Sequence, residues 1–351
     1  MKIFITKRVA FWLGIFTLAG LAAARGRTGR YHFLKSYSFG AAQGSNREYF
    51  DYITVDSLAR RVYLSHGTEI KVINADSGNP IGKVTGLKRD HGVAVASEFG
   101  RGFISDGARG KVVIFDLRTL KVIGDVKTAP DADCVLYDPA TKRGLSMNGD
   151  SHTATVIDAK TGHVVGVVQL GGSPEFAVAD GEGSIYNNLQ DKNELVAIDS
   201  RSLKVKSRWP VAPAGEPTAL AIDRQHRRLF SAGRNPQILV VMDADSGKVL
   251  DWFPISSGVD AAAYDAETGL IFASTREGMI HIFHEDSPGK FSAVETVKTQ
   301  VGAKTMGLDT KTHNLFLDTA DFGPRSPPTT DHADAPPQAI LGTFRVLVYG
   351  R

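Results

Sequence analysis

An all-β fold made of seven copies of one four-stranded unit is predicted by three observations. A turn of the type Asp-x-x-Ser/Thr-Gly, as in Asp158–Gly162, returns along the chain in steps of 42, 42, 41, 44 and 41 residues. Each turn joins two short apolar runs, and a column of large apolar residues keeps the same step. Units of about 40–45 residues with four short strands are typical of propeller blades, so the sequence predicts a seven-bladed β-propeller. The turns begin at Asn74, Asp116, Asp158, Asp199 and Asp243, with a degenerate copy at His284.

Each turn has a chemical reason for its residues. The Asp side chain can accept hydrogen bonds from nearby backbone amides, and the closing Gly takes a left-handed conformation. Two copies end instead in Leu120 and Leu203, where a leucine in that conformation would carry about 1–2 kcal/mol of strain. We therefore expect a different loop shape in those two copies.

The apolar column is expected to form the core between blades, because a single blade cannot bury both faces of its sheet. In each blade the column residue belongs to the second strand, which we call strand b, between the innermost strand a and strand c. The column comprises Tyr63, Phe103, Leu145, Tyr186, Phe230, Phe272 and Phe316.

The two ends of the chain are expected to close the ring. Blade seven has strands at 305–308, 314–317 and 344–349 but no fourth strand, whereas the segment 31–37 has no partner. We predict that 31–37 supplies the outer strand of blade seven, which removes long exposed sheet edges. The proline-rich stretch 322–341 interrupts that blade as a loop that cannot be a strand. We expect it to lie at the mouth of the central channel as a flap.

Residues 1–24 have the features of a secretory signal peptide: a basic start, an apolar run from Val9 to Ala24 and small residues at the cleavage site. The run is shorter than the roughly 20 residues of a membrane-spanning helix, so an uncleaved anchor is the weaker alternative. Cleavage would leave 25–351 as a single propeller domain without a membrane span. We expect a protein that is periplasmic or secreted, and a monomer.

The charge and cysteine content exclude several classes of function. Lys and Arg number 41 against 38 Asp and Glu, and removal of the three leader cations leaves 38 against 38. Bulk charge therefore gives no reason to expect nucleic acid or anionic lipid as a partner. Cys134 is the only cysteine, which excludes an internal disulfide and a haem-attachment pair. Its apolar setting predicts a small buried side chain.

The repeats Arg61–Ser65 and Ile70–Gly78 resemble those of the YVTN-repeat, YncE-like bacterial β-propellers, and the resemblance extends over 31–351. It implies the propeller fold and export, in a family mostly described as exported proteins of unknown role. Similar propellers include binding modules, lactonases and cofactor-carrying oxidoreductases. No catalytic motif of those enzymes matches this sequence, so the resemblance implies no catalytic residue.

Polar residues that turn chemistry does not explain are concentrated at one end of the channel, just before each strand a and in the loops between strands b and c. Three interpretations are open. The carboxylates can cap strands by accepting backbone amides, or bind a small molecule or peptide, or hold a divalent cation between Asp133 and Glu175. Those two would supply only two of the roughly 6–8 oxygen ligands of calcium, so no metal or other cofactor is predicted. The candidate ligand-binding residues are Asp51, His91, Asp133, Glu175, Asp260, Lys304, Asn148 and Arg234.

The function that these observations favour is an exported binding module that recognises a small molecule, or a protein or peptide partner, at the channel mouth. A hydrolase of the lactonase type, with a carboxylate or His91 as general base, is the first alternative. A purely structural envelope repeat protein is the second. The sequence does not identify the ligand, and the missing catalytic motifs favour a protein without enzymatic activity.

Overall fold

The computed structural model describes residues 30–324 and 337–351, and it contains seven four-stranded antiparallel sheets. Each sheet is one blade, and the innermost strands contact one another around a central axis. In blades one to six the strand order follows the chain from strand a to the outer strand d. The prediction of a seven-bladed β-propeller is confirmed.

The strands are short, from four to nine residues, as expected for blades that pack face to face. The chain begins with β1 (His32–Ser38), outside blade one. Blades one to three contain β2 (Ile53–Asp56), β3 (Arg61–Ser65), β4 (Glu69–Asn74), β5 (Pro80–Thr85), β6 (Asp90–Ala96), β7 (Arg101–Asp106), β8 (Lys111–Asp116), β9 (Val122–Lys127), β10 (Ala132–Asp138), β11 (Arg143–Asn148), β12 (Thr153–Asp158) and β13 (Val164–Gln169).

The remaining blades continue the same pattern. Blades four to seven contain β14 (Pro174–Ala179), β15 (Ser184–Leu189), β16 (Glu194–Asp199), β17 (Lys204–Pro210), β18 (Pro217–Asp223), β19 (Arg228–Arg234), β20 (Gln237–Asp243), β21 (Val249–Pro254), β22 (Val259–Asp265), β23 (Leu270–Thr275), β24 (Met279–Ser287), β25 (Lys290–Lys298), β26 (Met306–Asp309), β27 (Asn314–Thr319) and β28 (Arg345–Gly350). Short 3₁₀ turns occur at Ser97–Phe99, Gly107–Arg109 and Gln190–Lys192.

The ring closes through β1, as predicted. β1 pairs antiparallel with β28, from His32 opposite Gly350 to Ser38 opposite Arg345, and so becomes the outer strand of blade seven. The residue before it, Tyr31, is buried with its ring 5.2 Å from that of Phe272 in blade six. The first and last strands of the propeller therefore belong to one sheet.

The apolar column forms the core between blades. Every member, from Tyr63 in blade one to Phe316 in blade seven, is at most 1% exposed. The buried clusters contain side chains from two neighbouring blades; one joins Tyr186 of blade four to Leu229 of blade five. Cys134 is also buried, in the cluster shared by blades three and four. These positions confirm that the column forms the core between blades and that the cysteine is buried.

The repeated turns are held by the predicted hydrogen bonds, and the two copies that end in leucine have the same shape as the others. In the turn at Asp158, Oδ1 accepts the Thr161 amide at 2.7 Å. Leu120 and Leu203 each have a φ of 58°, in the same left-handed region as Gly162. Our expectation of another loop shape for them was wrong. Leu120 is buried against the neighbouring blade, and this packing offsets its backbone strain.

The degenerate turn proposed at His284 is not a turn. β24 runs through this position to Ser287, and the hairpin closes between Ser287 and Lys290. The hairpin of blade six is therefore longer than the others, and the residues around His284 remain in a strand.

The proline-rich insertion lies between β27 and β28, and the structure describes only its two ends. Phe322 and Ala339 form an isolated antiparallel bridge, which holds the ends together. Both residues line a cavity of about 340 Å³ together with Asp51 and Lys304, so the base of the insertion lies at the channel mouth. The middle of the predicted flap, residues 325–336, and the predicted signal peptide, residues 1–24, lie outside the described residues.

The link between β1 and β2 was not predicted to have a structural role, yet it crosses the face of blade one toward the axis. Glu48 in this link is bonded to the buried His66, and its other carboxyl oxygen accepts the amide of Gly342 at 2.6 Å. The following residue, Tyr49, reaches the channel mouth. Within the described residues, no helix is long and apolar enough to cross a membrane.

Candidate functional site

The loops between blades aim a ring of polar side chains at the axis. In five of these loops the residue two positions before the rim position has a positive φ; Arg89, before His91, and Asp131, before Asp133, are non-glycine examples, at 56° and 57°. The turn that this residue makes directs the next side chains toward the channel. We call the resulting group the mouth cluster; it consists of Asp51, His91, Asp133, Glu175, Arg234, Asp260 and Lys304.

His91 is the centre of one half of the mouth cluster. Its Nδ1 atom lies 2.7 Å from Asp51 Oδ2, 3.2 Å from Asp133 Oδ1 and 3.1 Å from the Tyr49 hydroxyl. Burial opposes a charge on the imidazole, but the hydrogen bond with Asp51 and the charge of Asp133 raise the pKa of His91 to about 9. The imidazole is therefore protonated at neutral pH and donates to Asp51.

Asp260 is the centre of the other half. Its two carboxyl oxygens are bonded to Arg234 and to Lys304. Lys304 Nζ also lies 3.6 Å from Asp51 Oδ1, which links the two halves. Burial opposes ionisation of Asp51, yet Lys304 and His91 hold the pKa of Asp51 below its usual value. Asp51 and Asp260 are thus ion-paired within the protein.

Glu175 and Asp133 are not balanced in this way. The carboxyl group of Glu175 has no hydrogen bond or ion pair anywhere in the part of the chain that the structure describes. Burial and the nearby charge of Asp133 raise the pKa of Glu175 to about 8. Burial also raises the pKa of Asp133, to about 6, although His91 opposes this shift. Two adjacent carboxyl groups with raised pKa values mark a functional-site candidate.

Two aromatic rings form a floor one residue deeper in the channel. Tyr52 follows Asp51, and Phe176 follows Glu175; their ring centroids are 5.4 Å apart in an edge-to-face arrangement. Gly92 leaves room for the Tyr52 ring, since a Cβ atom at this position would lie 3.1 Å from Tyr52 Cδ2. The mouth cluster therefore forms the wall of a cup whose base is aromatic.

The hydrogen bonds of the rim differ from the strand-cap interpretation. Among the described residues, the hydrogen bonds of the Asp51 and Asp260 carboxylates come from side chains, and Asp133 contacts the His91 side chain; none of the three accepts a backbone amide. Arg234 joins the mouth cluster as expected for a candidate ligand-binding residue, through Asp260 and the carbonyl of Val259 at 3.1 Å. Seven of the eight candidate residues are thus brought together.

Asn148 is the exception and does not belong to the rim. It is the last residue of β11, fully buried, and its amide donates to Thr153 at 3.1 Å and Thr155 at 3.0 Å. These bonds hold β11 and β12 together inside blade three. Strand alternation turns its side chain into the blade rather than toward the axis.

Three further polar residues at the mouth were not among the predicted candidates. Tyr49 comes from the link after β1, and Arg89 forms an ion pair with Asp131 at 3.1 Å. Arg89 and Asp131 are 42 residues apart, each two positions before the column of rim residues, so the repeat step could have found them. Tyr49 has no such signal, because the link occurs once.

A basic cavity of about 500 Å³ adjoins the mouth cluster at Tyr49. Its walls come from the link after β1 and from loops of blades one and two. Arg109 is bonded to Asp106, whereas Lys88 has no ion pair within the described residues. Four of the lining side chains are cations: Arg47, Lys88, Arg89 and Arg109.

A metal site at the mouth was expected, if at all, between Asp133 and Glu175. The ligand atoms of Asp51, His91 and Asp133 lie within 4.8 Å of one another, and Glu175 is outside this group. Lys304 already supplies positive charge beside Asp51.

Comparison with solved structures supports the fold. The RRP9 WD40 repeats align over 90% of this chain and 100% of theirs, with a TM-score of 0.72 and 8% identity. A chain of the mitotic checkpoint complex aligns over 96% of this chain and 99% of its own, with a TM-score of 0.71 and 14% identity. For hydrazine synthase of Kuenenia stuttgartiensis the coverages are 79% and 96%, with a TM-score of 0.66 and 13% identity. No protein-family model and no curated protein matches the sequence. The chain is thus similar to WD40-type propellers in fold.

Proposed function

We propose that this protein is an exported binding module of the YVTN-repeat, YncE-like type, whose mouth cluster binds a positively charged group. That group is an ammonium or guanidinium, on a small molecule or on a side chain of a protein or peptide partner. The observation that carries this proposal is the carboxyl group of Glu175, which lies near Asp133 with no partner of its own in the described chain. Export, to the periplasm or the medium, rests on the features of residues 1–24.

A cationic group would correct the imbalance at Glu175. Like charges repel, and burial penalises each carboxylate, so the empty site keeps a proton near neutral pH. An ammonium group that enters the site would take the place of this proton. Both carboxylates would attract it. The rings of Tyr52 and Phe176 below it offer apolar and cation–π contacts, which are worth about 0.5–2 kcal/mol. A neutral ligand would leave the repulsion between the two carboxylates uncompensated.

The surroundings favour a ligand of mixed charge. The basic cavity beside Tyr49, with Lys88 and Arg47 on its wall, would accommodate an acidic part of the same partner. A propeller similar to WD40 repeats fits the role of a binding or scaffold module. A free amine and a lysine or arginine side chain share the chemistry that Glu175 needs, so experiment must separate them.

The hydrolase alternative finds less support where His91 is its general base. A general base must be free to accept a proton near the operating pH. His91 is held between Asp51 and Asp133, and its pKa is raised to about 9, so it already carries its proton at neutral pH. A binding role uses the same residues without this conflict.

The test is calorimetric titration of the purified protein with n-butylamine, n-butylguanidine and short peptides containing one lysine or one arginine. Acetylated lysine peptides serve as uncharged counterparts. We expect saturable binding of at least one cationic probe and none of the acetylated peptides. Peptides that bind much more tightly than the free amines would identify a protein or peptide as the partner class, and the reverse would identify a small molecule.

The matched variants are Glu175→Gln and Glu277→Gln. Both remove one carboxylate from the same face, but Glu277 is exposed in the loop between β23 and β24. Loss of a charge-assisted hydrogen bond costs about 1.5–3 kcal/mol, so Glu175→Gln should weaken binding about tenfold or more. The proposal fails if no cationic probe binds, or if the two variants behave alike.

A further inference from the structure

The junction between blades five and six lacks an ion pair that four other junctions have. In each blade the turn between strands a and b contains a residue with positive φ. In four blades this residue is a cation that pairs with an acid of the preceding blade. In blade six it is Gly269, so Asp223 of blade five receives no cation from its neighbour. The four pairs are Arg60–Asp309 at 2.7 Å, Lys142–Glu98 at 2.5 Å, Arg227–Asp180 at 3.0 Å and His313–Asp265 at 2.7 Å.

At this junction a carboxylate side chain occupies a position that has no carboxylate in five other blades. The amide of Glu285 donates to the carbonyl of Gly269 at 3.0 Å, and the same backbone bond recurs in five other blades. The side chain at this position is small, apolar or a hydroxyl in those blades. The equivalent residues are Ala75, Leu117, Ala159, Ser200 and Ala244.

A histidine also differs from the repeat at this junction. In blades three, six and seven a threonine hydroxyl donates to the Asp of its own turn, as Thr268 does to Asp265 at 2.8 Å. In blade five the corresponding contact is made by His226, with Nδ1 2.6 Å from Asp223 Oδ2. Glu285 and His226 thus differ from the repeat at one place, beside Gly269.

The three polar side chains converge. His226 Nδ1 lies 3.5 Å from Glu285 Oε2, and the three candidate ligand atoms lie within 4.8 Å of one another. The side chains of Asp223 and Glu285 are only 1% and 3% exposed, whereas that of His226 is 36% exposed. Asp223 Oδ1 accepts the amides of Gln225 and His226, which fixes its carboxylate with Oδ2 toward the cluster.

One carboxyl oxygen of the cluster lacks a hydrogen-bond partner. Glu285 Oε1 is buried and has no hydrogen-bond partner among the described residues. Two buried carboxyl groups therefore share a single imidazole and a distant contact with the Tyr264 hydroxyl, 3.5 Å from Glu285 Oε2. A buried carboxylate without a partner is costly, so the arrangement requires a proton or a cation.

We propose that this junction binds a divalent transition-metal ion of the zinc class through Asp223, His226 and Glu285. One imidazole nitrogen and two carboxylates form a donor set that suits zinc and its neighbours, with water at a remaining position. Calcium prefers six or more oxygen ligands and does not use imidazole. Partial exposure of His226 gives the ion a path from solvent. The bound ion ties blade five to blade six, independently of the mouth cluster.

The test begins with the purified protein, freed of metal with a chelator and titrated with Co²⁺ under visible spectroscopy. We expect one ion per chain, absorption bands of protein-bound cobalt, displacement by Zn²⁺, and a higher melting temperature with Zn²⁺ present. The variants His226→Thr and Glu285→Ala restore residue types found at these positions in other blades, so both should fold. Each should weaken Co²⁺ binding about a hundredfold or more, since even loss of an outer-sphere partner costs 10- to 100-fold.

The matched control is His284→Ala. His284 pairs with Asp286 at 2.7 Å on the exposed side of the same strand, one residue from Glu285. Its removal should leave the cobalt spectrum unchanged. Failure to bind Co²⁺ at one equivalent would overturn the proposal and would mean that a proton occupies the junction. Loss of the spectrum in His91→Asn, with binding retained in Glu285→Ala, would place the ion at the mouth cluster and would also overturn it.

Discussion

Tyr52 of blade one and Phe176 of blade four meet across the propeller axis, with their ring centroids 5.4 Å apart. The two residues lie on opposite sides of the ring and 124 positions apart in the sequence. Their contact lies one residue deeper in the channel than Asp51 and Glu175 of the mouth cluster. A ligand of the mouth cluster therefore enters from the side that contains the loops between strands b and c.

The aromatic floor should contribute to stability as well as to shape. Replacing Tyr52 with alanine removes a partly buried ring and leaves a cavity against Phe176, so we expect a loss of about 2–3 kcal/mol in the free energy of unfolding. Tyr52→Phe keeps the ring and should cost less than about 1 kcal/mol. Urea unfolding of the two variants measures the difference. Equal losses would mean that the hydroxyl, and not the ring contact, matters.

Glu175 should make the stability of the protein decrease as the pH rises. Its pKa is about 8 in the folded protein, against about 4.3 in an unfolded chain, so the folded state binds the extra proton between these values. Unfolding then releases a proton, and the free energy of unfolding falls as pH increases from about 4.5 to about 8. Glu175→Gln removes this contribution.

The measurement is the melting temperature of both proteins at several pH values. At pH 5 we expect the variant and the parent to be nearly equal. At pH 8 the variant should be more stable, by on the order of 1–2 kcal/mol. Glu277→Gln, an exposed carboxylate, should change neither the value nor its slope. A Glu175→Gln protein that loses stability at pH 8 would show that the carboxylate has a structural partner.

The fold could be predicted from the sequence because the same kinds of contact stabilise every blade at the same positions of the repeat. The column from Tyr63 to Phe316 and the step of the turns locate every blade, and the unmatched segment 31–37 identifies the closing strand. Six residues of the mouth cluster were found for the same reason, since each lies at the start of a strand a or two residues before it, whereas Arg234 ends β19. Periodicity cannot supply what occurs once, which is why Tyr49 was missed.

Two errors have a common physical origin. Asn148 was assigned to the rim from its place after strand b, but the direction of its side chain depends on strand register. The segment at His284 was assigned to a turn from its spacing, but its hairpin is longer, and this concealed the buried position of Glu285. Spacing along the chain fixes where a residue lies, whereas register and packing decide what its side chain contacts.

Closure of the ring by β1 should be necessary for stability. Removing residues 25–38 would expose β28 along six residues and the Tyr31 pocket against Phe272, so we expect aggregation or a large loss of melting temperature. The point variant Tyr31→Ala should lose about 3 kcal/mol, whereas the exposed His32→Ala should be close to neutral. Size-exclusion chromatography and thermal melts give both results. A truncated protein that stays monomeric with an unchanged melting temperature would contradict this role.

The left-handed leucines should be coupled to glycines of the preceding blade. A Cβ atom at Gly82 would lie 2.7 Å from Leu120 Cδ1, and one at Gly166 would lie 2.4 Å from Leu203 Cδ1. Leu120→Gly relieves about 1–2 kcal/mol of backbone strain but removes a buried leucine side chain, whose burial contributes about 1.5–3 kcal/mol. We expect a small net loss of stability, on the order of 1 kcal/mol.

A double-mutant cycle tests the coupling directly. Gly82→Ala should cost about 1–3 kcal/mol in the parent, because the new methyl group collides with Leu120. In the Leu120→Gly background the same change should cost little, which gives a coupling energy of about 1 kcal/mol or more. Gly124 is the matched control: it occupies the corresponding place in blade two, opposite Ile114, and nothing lies within 4 Å of a Cβ atom there. Gly124→Ala should therefore be neutral in both backgrounds. Additive effects of Gly82→Ala and Leu120→Gly would mean that the leucine is held by its own turn and not by the neighbouring blade.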